Sequence, residues 1–350
     1  MMTARDNRAT FAYGLLLAVL VAAPFLGAYP VLVMKLLCFA LFACAFNLLL
    51  GFTGLLSFGH AAFFGGAAYA CGYAMKSLHV TPELGLLLGT AFGALLGLAF
   101  GALAIRRQGI YFAMITLALA QMFYFFCLQA PVTGGEDGLQ AVPRGSLFGV
   151  VSLEPDMTTY YLVLAITAAA FLGIMRIVNS PFGQILRAIK ENEPRAISLG
   201  YDADRFKLLA FVLSSALAGL AGALKTLVLG FATLTDVHWM MSGAVILMTL
   251  VGGMGTLSGP IVGALVIVAL ENKLGDAGTA LASLTGIPWF DSLGESVSMV
   301  TGLIFVVCVL TFRRGVMGEI EARWKNRPAS RPIVPTTRTV QSGAAGTGQG

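Results

Sequence analysis

Hydrophobic positions in this chain run in blocks of about twenty residues, the length a helix needs to cross a bilayer, and polar positions gather in the gaps between them. The blocks lie at 11–29, 31–50, 55–75, 84–105, 110–130, 159–178, 208–230, 242–254, 259–272 and 296–312. This pattern predicts an all-α, polytopic membrane protein with about ten transmembrane helices, the eighth and ninth short. Those two read together as SGAVILMTLVGGMGTLSGPIVGALVIVAL, interrupted by Gly252, Gly253, Gly255, Gly259 and Pro260. Two tilted helices fit that stretch, and so do two half-helices meeting at a broken tip, since irregular backbone at membrane depth is tolerated where protein or water covers it.

The longest polar gap between blocks that also carries many basic residues is Asn179–Lys207, NSPFGQILRAIKENEPRAISLGYDADRFK. Ser180 suits an N-cap and Pro181 the first helical position. Ile185, Leu186 and Ile189 then make an apolar stripe, with Arg187, Lys190 and Glu191 on other faces. Pro194 breaks or restarts that helix, and a second short helix ends at Gly200, a natural residue to follow a helix. Two short helices at an angle along the membrane surface present a knob to a groove in a soluble partner. The plainer alternative is an amphipathic loop resting on lipid headgroups.

Charge placement orients the chain. With the N-terminus inside, ten spans put Arg5 and Arg8, Arg106 and Arg107, the gap after Arg176, and the tail from Arg313 onward on the cytoplasmic face. Of the 22 Lys and Arg, only Lys35, Lys76, Arg144, Lys225 and Lys273 fall elsewhere, near outer helix ends where a long side chain reaches water. Residues 1–10 and the basic tail 313–350 are then cytoplasmic, the tail expected to be disordered from its Pro, Ser, Thr and Gly content. The transmembrane domain covers 11–312, with outer loops at 131–158 and 273–295. The block Phe11–Tyr29 exceeds the 7–15 residue core of a signal peptide and reads as an uncleaved first helix.

Composition agrees: 57% hydrophobic and 11% charged, against about a quarter charged in soluble domains. The net charge of +5 follows from basic inner loops and argues for no nucleic-acid partner. All five cysteines lie in apolar runs without metal or disulfide spacing. An ion-coupled secondary carrier usually places an acid at mid-span, and the blocks show none there; Glu271 sits near a helix end. No paired acids, His/Cys cluster or Ser–His pair points to an enzyme. The phosphate loop G-x-x-x-x-G-K-[ST] is missing from the sequence.

Polar and glycine-rich positions inside the blocks are the candidates for a substrate path. Asn47, Thr53, Gly54, Ser57, Gly59 and His60 cluster at one break, where free backbone amides would suit a substrate carboxylate. Close helix packing with a locally bonded His60 is the competing reading. Thr116 and Gln121 either glue helices or line a path. In TGGEDGL, Gly134, Gly135 and Asp137 form an outer turn with Glu136, too poor in oxygens for a calcium loop. Gly51-Phe-Thr-Gly54-Leu-Leu-Ser57 echoes Gly252-Gly-Met-Gly255-Thr-Leu-Ser258, as interrupted helices in two repeats would, or as chance in a chain with 42 glycines.

RAIKENEPRAISLG, Arg187 to Gly200, resembles the cytoplasmic coupling loop of ABC importer permeases. NLLLGFTGLLSFGHAAFFGGAAY, GIYFAMITLALAQ, TGGEDGL, FKLLAFVLSSALAGLAGAL and LVGGMGTLSGP resemble the branched-chain amino acid branch of that family, in order from residue 45 to 272. In the coupling loop Ala196 and Gly200 match the general importer pattern, while the Glu and first Ala of that pattern have no counterpart. The resemblance implies a subunit that translocates branched-chain amino acids, or related urea, small amides or organic acids, by alternating access in the bacterial inner membrane. It implies a second homologous permease, two cytoplasmic ATPases holding ATP and Mg, and a periplasmic binding protein that meets Gly134, Gly135 and Asp137. Arg187, Ala188, Glu191, Glu193, Arg195, Ala196 and Gly200 would meet the ATPase. No cofactor or metal is expected on this chain itself.

Overall fold

The computed structural model describes residues 14–27, 29–285, 302–303, 306 and 315–319. Its helices are α1 (Gly14–Phe25), α2 (Pro30–Thr53), α3 (His60–Ser77), α4 (Pro82–Ala104), α5 (Ile110–Gln129), α6 (Asp156–Asn179), α7 (Pro181–Glu191), α8 (Glu193–Ser198), α9 (Ala203–Leu229), α10 (Leu234–Val237), α11 (Trp239–Gly252) and α12 (Gly259–Thr285). Five of them, α2, α4, α5, α6 and α9, are long and apolar enough to cross a membrane. Helices α1 and α11 and the segment Gly259–Asn272 are shorter apolar helices. The tenth block, residues 1–10 and most of the tail lie outside the described residues. Helix α12 continues to Thr285, so the first part of the loop expected at 273–295 is helical; no proline interrupts that run before Pro288.

Helix α2 is the axis of the bundle, buried almost continuously from Leu37 to Thr53. Helices α3 and α9 pack on it, and α4 closes over both. Close approach depends on glycine. Phe64 of α3 lies so near Gly222 of α9 that a Cβ there would collide with the Phe64 carbonyl. On α4, Gly89 and Gly93 recur at a spacing of four and meet α9 and α3; a Cβ on Gly93 would lie 2.9 Å from the Ser215 carbonyl oxygen. Such packing is what holds membrane helices together, because lipid is as apolar as a leucine side chain.

At the end of α9, the loop after α5 folds back on the chain. Leu139 and Ala232 exchange backbone hydrogen bonds at 2.9 Å, and the Val142 amide donates to the Gly230 carbonyl at 2.8 Å. A short antiparallel pair, β1 (Ser146–Leu147) and β2 (Val151–Ser152), extends this loop. Lys225, expected to reach water, is instead buried and paired with Asp236 of α10 at 2.5 Å. Its partner lies on a four-residue helix that folds inward, so the ammonium finds a carboxylate instead of solvent.

Candidate functional site

The polar gap folds as its caps dictate. The Ser180 hydroxyl accepts from the Gly183 amide at 3.4 Å to start α7, and Asn192 Oδ1 accepts from the Arg195 amide at 3.1 Å to start α8. Helix α8 closes in a Schellman turn: the Gly200 amide donates to Ile197 at 2.9 Å and the Tyr201 amide to Ala196 at 3.2 Å. Gly200 has φ +90°, a backbone that favours glycine. Asp202 then caps α9 by accepting from the Arg205 amide at 3.2 Å.

The inner side of this elbow is riveted to the bundle. Ile189, Ala196 and Ala203 form a small apolar cluster with Ile185 and Phe206, and Leu186 is fully buried. Phe182 stacks on Phe206 at 5.7 Å between ring centres. Lys207, buried, pairs with Glu193 at 2.5 Å and ties α8 to α9. Lys190 Nζ donates to the Gly51 carbonyl at 2.7 Å, and its stem lies against Gly54, where α2 ends. Partial burial holds the Lys190 ammonium below the ordinary lysine value, with neighbouring Glu191 pulling the other way. The Arg187 guanidinium sits 5.2 Å over the Phe52 ring.

The outer side of the elbow is more open. Ala188, Glu191, Arg195 and Gly200 are exposed, as are Ile197 and Leu199; Arg187 and Tyr201 are exposed too, each also lying against a ring, Phe52 and Phe206. Of the expected contact residues, Ala196, Glu193 and Arg187 reach inward, Ala196 into the cluster, Glu193 to Lys207 and Arg187 to the Phe52 ring.

The second group of candidates meets at the break between α2 and α3. Gly54 ends α2 with φ +77°, and α3 starts only at His60, later than the apolar block suggests. Three backbone amides here are taken by protein: Phe58 donates to Thr116 Oγ1 at 3.1 Å, Gly59 to Ser57 Oγ at 3.1 Å and Ala61 to Ser242 Oγ at 2.9 Å. Those three are therefore not free for a carboxylate; side chains from α5 and α11 supply two of the acceptors that water supplies elsewhere. Thr53 bonds back to Leu49 within its own helix. His60 is fully buried, with Nε2 2.9 Å from Ser214 Oγ, Nδ1 unpartnered, and the rings of Phe46, Phe63 and Phe211 edge-on around it. Beside the break lies an apolar cavity of about 430 Å³, lined by Gly54, Leu55, Phe58, Ile110, Ala113 and Met114. Asn47 points away from it, to the turn between α11 and α12, donating to Thr256 O at 2.8 Å and accepting from Gly255 N at 2.9 Å.

Gly134, Gly135 and Asp137 stand together on a tight turn at the α9–α10 end, with Gly134 and Gly135 both at positive φ and Asp137 exposed. Among the described residues no group of three or more His, Cys, Asp or Glu is arranged to hold a metal. Lys190 and the Lys225–Asp236 pair were not singled out by pattern. For Lys225 a lone charge within an apolar run was the available signal; the pattern set Lys190 on a polar face beside Arg187 and Glu191 and offered none.

Spanning-length apolar helices in one bundle, with a polar elbow docked at one end, define a multi-pass membrane protein of the permease kind. The chain belongs to the family described as branched-chain amino acid transport system / permease component, whose model matches residues 31–309. It is 27% identical over 292 residues to the high-affinity branched-chain amino acid transport system permease protein LivM of Salmonella typhimurium, covering 75% of this chain and 67% of that one. It is 26% identical over 258 residues to the LivM of Escherichia coli, 66% of this chain and 60% of the relative. A probable LivH permease of Methanocaldococcus jannaschii is 29% identical over 129 residues, 37% of this chain and 39% of the relative. No solved structure matches the chain.

Proposed function

We propose that this chain is the membrane-spanning subunit of an ATP-driven importer of branched-chain or related small amino acids, and that the elbow α7–α8 is where ATPase subunits act on it. The observation that carries this reading is the two-sidedness of the elbow. One side is fixed to the ends of α2 and α9 through Lys190, Arg187, Lys207 and a small apolar cluster. The other side leaves Ala188, Glu191 and Arg195 exposed beside Leu199, an arrangement fit for a soluble partner. A push on such an element is delivered to the helix ends that border the α2–α3 break.

Membership in the permease family supports the substrate class, and likeness to both LivM and LivH permeases supports a heteromeric pair of permeases. In this reading the elbow faces the cytoplasm of the inner membrane, and the turn with Gly134, Gly135 and Asp137 faces a periplasmic binding protein. ATP and Mg bind the partner ATPases.

Uptake into proteoliposomes holding the reconstituted complex, with ion gradients collapsed, tests this. Uptake requires internal ATP. Uptake that persists without ATP and follows an imposed proton or sodium gradient overturns the reading in favour of a secondary carrier. Replacing Ala196 by Trp and Gly200 by Val together is expected to abolish uptake, because one residue is buried under the elbow and the other needs positive φ. Equal uptake by that variant refutes the role of the elbow.

A further inference from the structure

The two stretches that echo each other in sequence share one conformational feature, a left-handed glycine just after a helix end. Gly54 and Gly255 hold the same position in the echo, with φ +77° and +79°. The first follows the end of α2 and the second the end of α11. The two turns touch: a Cβ on Gly51 would lie 2.8 Å from the Gly255 nitrogen.

The turns are not equivalent in what holds them. The elbow reaches the first one, through Lys190 to the Gly51 carbonyl at 2.7 Å and along the flank of Gly54. Contact with the second runs through Asn47, one helical turn before Gly51 on α2. Its carboxamide, 2% exposed, donates to the Thr256 carbonyl at 2.8 Å and accepts from the Gly255 amide at 2.9 Å. Thr256 in turn organises the start of α12: its hydroxyl donates to Gly253 O at 2.8 Å and accepts from Gly259 N at 3.0 Å. The echo puts Met248 where the second stretch would carry its own amide, so the bidentate clasp runs one way, from α2 to the α11–α12 turn.

We propose that Asn47 is a positioning residue that yokes the two turns, so that one displacement of the elbow moves the α2–α3 break and the α11–α12 turn as a single body. This rests on the elbow being the point of ATPase action. A clasp of two partly buried hydrogen bonds from a side chain that is itself buried suits the role, because breaking it leaves the Asn47 carboxamide unpaired inside the bundle. Without it the elbow would still move α2, and α11 and α12 would lag.

The test uses the reconstituted complex with Asn47→Leu, which removes both bonds at similar volume, and Asn47→Asp, which keeps the acceptor for Gly255 and loses the donor to Thr256. Expected for Asn47→Leu is a drop of about tenfold in substrate moved per ATP hydrolysed, with ATP hydrolysis itself within about twofold of the parent, as for a lost coupling of one or two partly buried hydrogen bonds. Asn47→Asp falls between. Spin labels on Gln184→Cys and Met254→Cys, both exposed positions outside the expected ATPase contact, report the yoke directly. Their distance distribution stays narrow in the otherwise unaltered chain and broadens about twofold in Asn47→Leu, with or without nucleotide. An unchanged transport-to-hydrolysis ratio overturns the proposal, and so does a parallel loss of hydrolysis, uptake and assembly with an unchanged distance distribution, the mark of a merely structural residue. If the parent complex moves substrate without ATP, the coupling reading falls, while the label distances still judge the yoke by themselves.

Discussion

The buried pair Lys225–Asp236 gives the sharpest quantitative prediction. Nζ and Oδ2 are 2.5 Å apart, and the two side chains are 6% and 4% exposed. Removing one partner from such a pair strands a charge, at a cost of about 3–5 kcal/mol, whereas replacing both with apolar residues of similar volume is near neutral. The surroundings set the order of the two single variants. Asp236 Oδ2 also accepts from the Thr233 amide and hydroxyl, each at 3.1 Å, so Lys225→Met leaves the carboxylate with two donors. Among the described residues Lys225 has the face of Phe231, 4.8 Å away, besides Asp236, so Asp236→Leu strands the ammonium more completely and also removes the cap of α10. Lys225→Met should therefore cost roughly 3 kcal/mol and Asp236→Leu roughly 5 kcal/mol. The double variant should cost little more than the lost cap, about 1 kcal/mol. Thermal unfolding in detergent, read by a thiol-reactive dye, is a direct assay because Cys38, Cys44, Cys71 and Cys127 are buried until the bundle opens. At about 2–4 °C per kcal/mol, the single variants fall by roughly 6–20 °C and the double variant by no more than about 4 °C. A double variant that falls by the sum of the single ones would refute the reasoning, since the charges would then be solvated independently.

Three further outcomes follow from the same coordinates. Gly222→Ala should destabilise the bundle by about 1–3 kcal/mol, because its Cβ meets the Phe64 backbone, while Gly173→Ala on α6, with open space around it, should be neutral or stabilise by up to about 1 kcal/mol; the same dye assay compares them. Gly200→Ala should cost about 1 kcal/mol through positive φ alone, with no clash, and appear as faster protease cleavage within α8 without loss of the folded bundle. Because partial burial lowers the Lys190 pKa, the unfolded chain holds that proton over a window just below 10.5 where the folded chain has released it, so stability rises with pH across that window; Lys190→Gln should flatten the slope of thermal midpoint against pH.

What the linear pattern reveals here is whatever is local. The elbow is legible because its caps, its stop at Pro194 and its glycine end at Gly200 act within four or five residues. The long spans are legible because about twenty apolar residues have few other uses. The late start of α3 is hidden because Phe58, in the middle of the break, has its amide and carbonyl satisfied by Thr116 and Ser242, 58 and 184 residues away. Lys225 misleads for the same reason: hydropathy treats a charge near a helix end as reaching water, and its carboxylate arrives on a separate short helix. The glycine echo lies between these cases. Its two copies are visible in the letters, and their matching left-handed turns follow from glycine, yet only the fold shows that they touch and that a single amide, 208 residues away along the chain, joins them. A membrane helix bundle makes such distant polar contacts informative. Its apolar surfaces are interchangeable with lipid, so a buried amide that clasps another helix is held in place by the specific geometry it makes and by little else. Polar residues inside apolar blocks are therefore where mutation should separate folding from coupling, and Asn47 is the first of them to try.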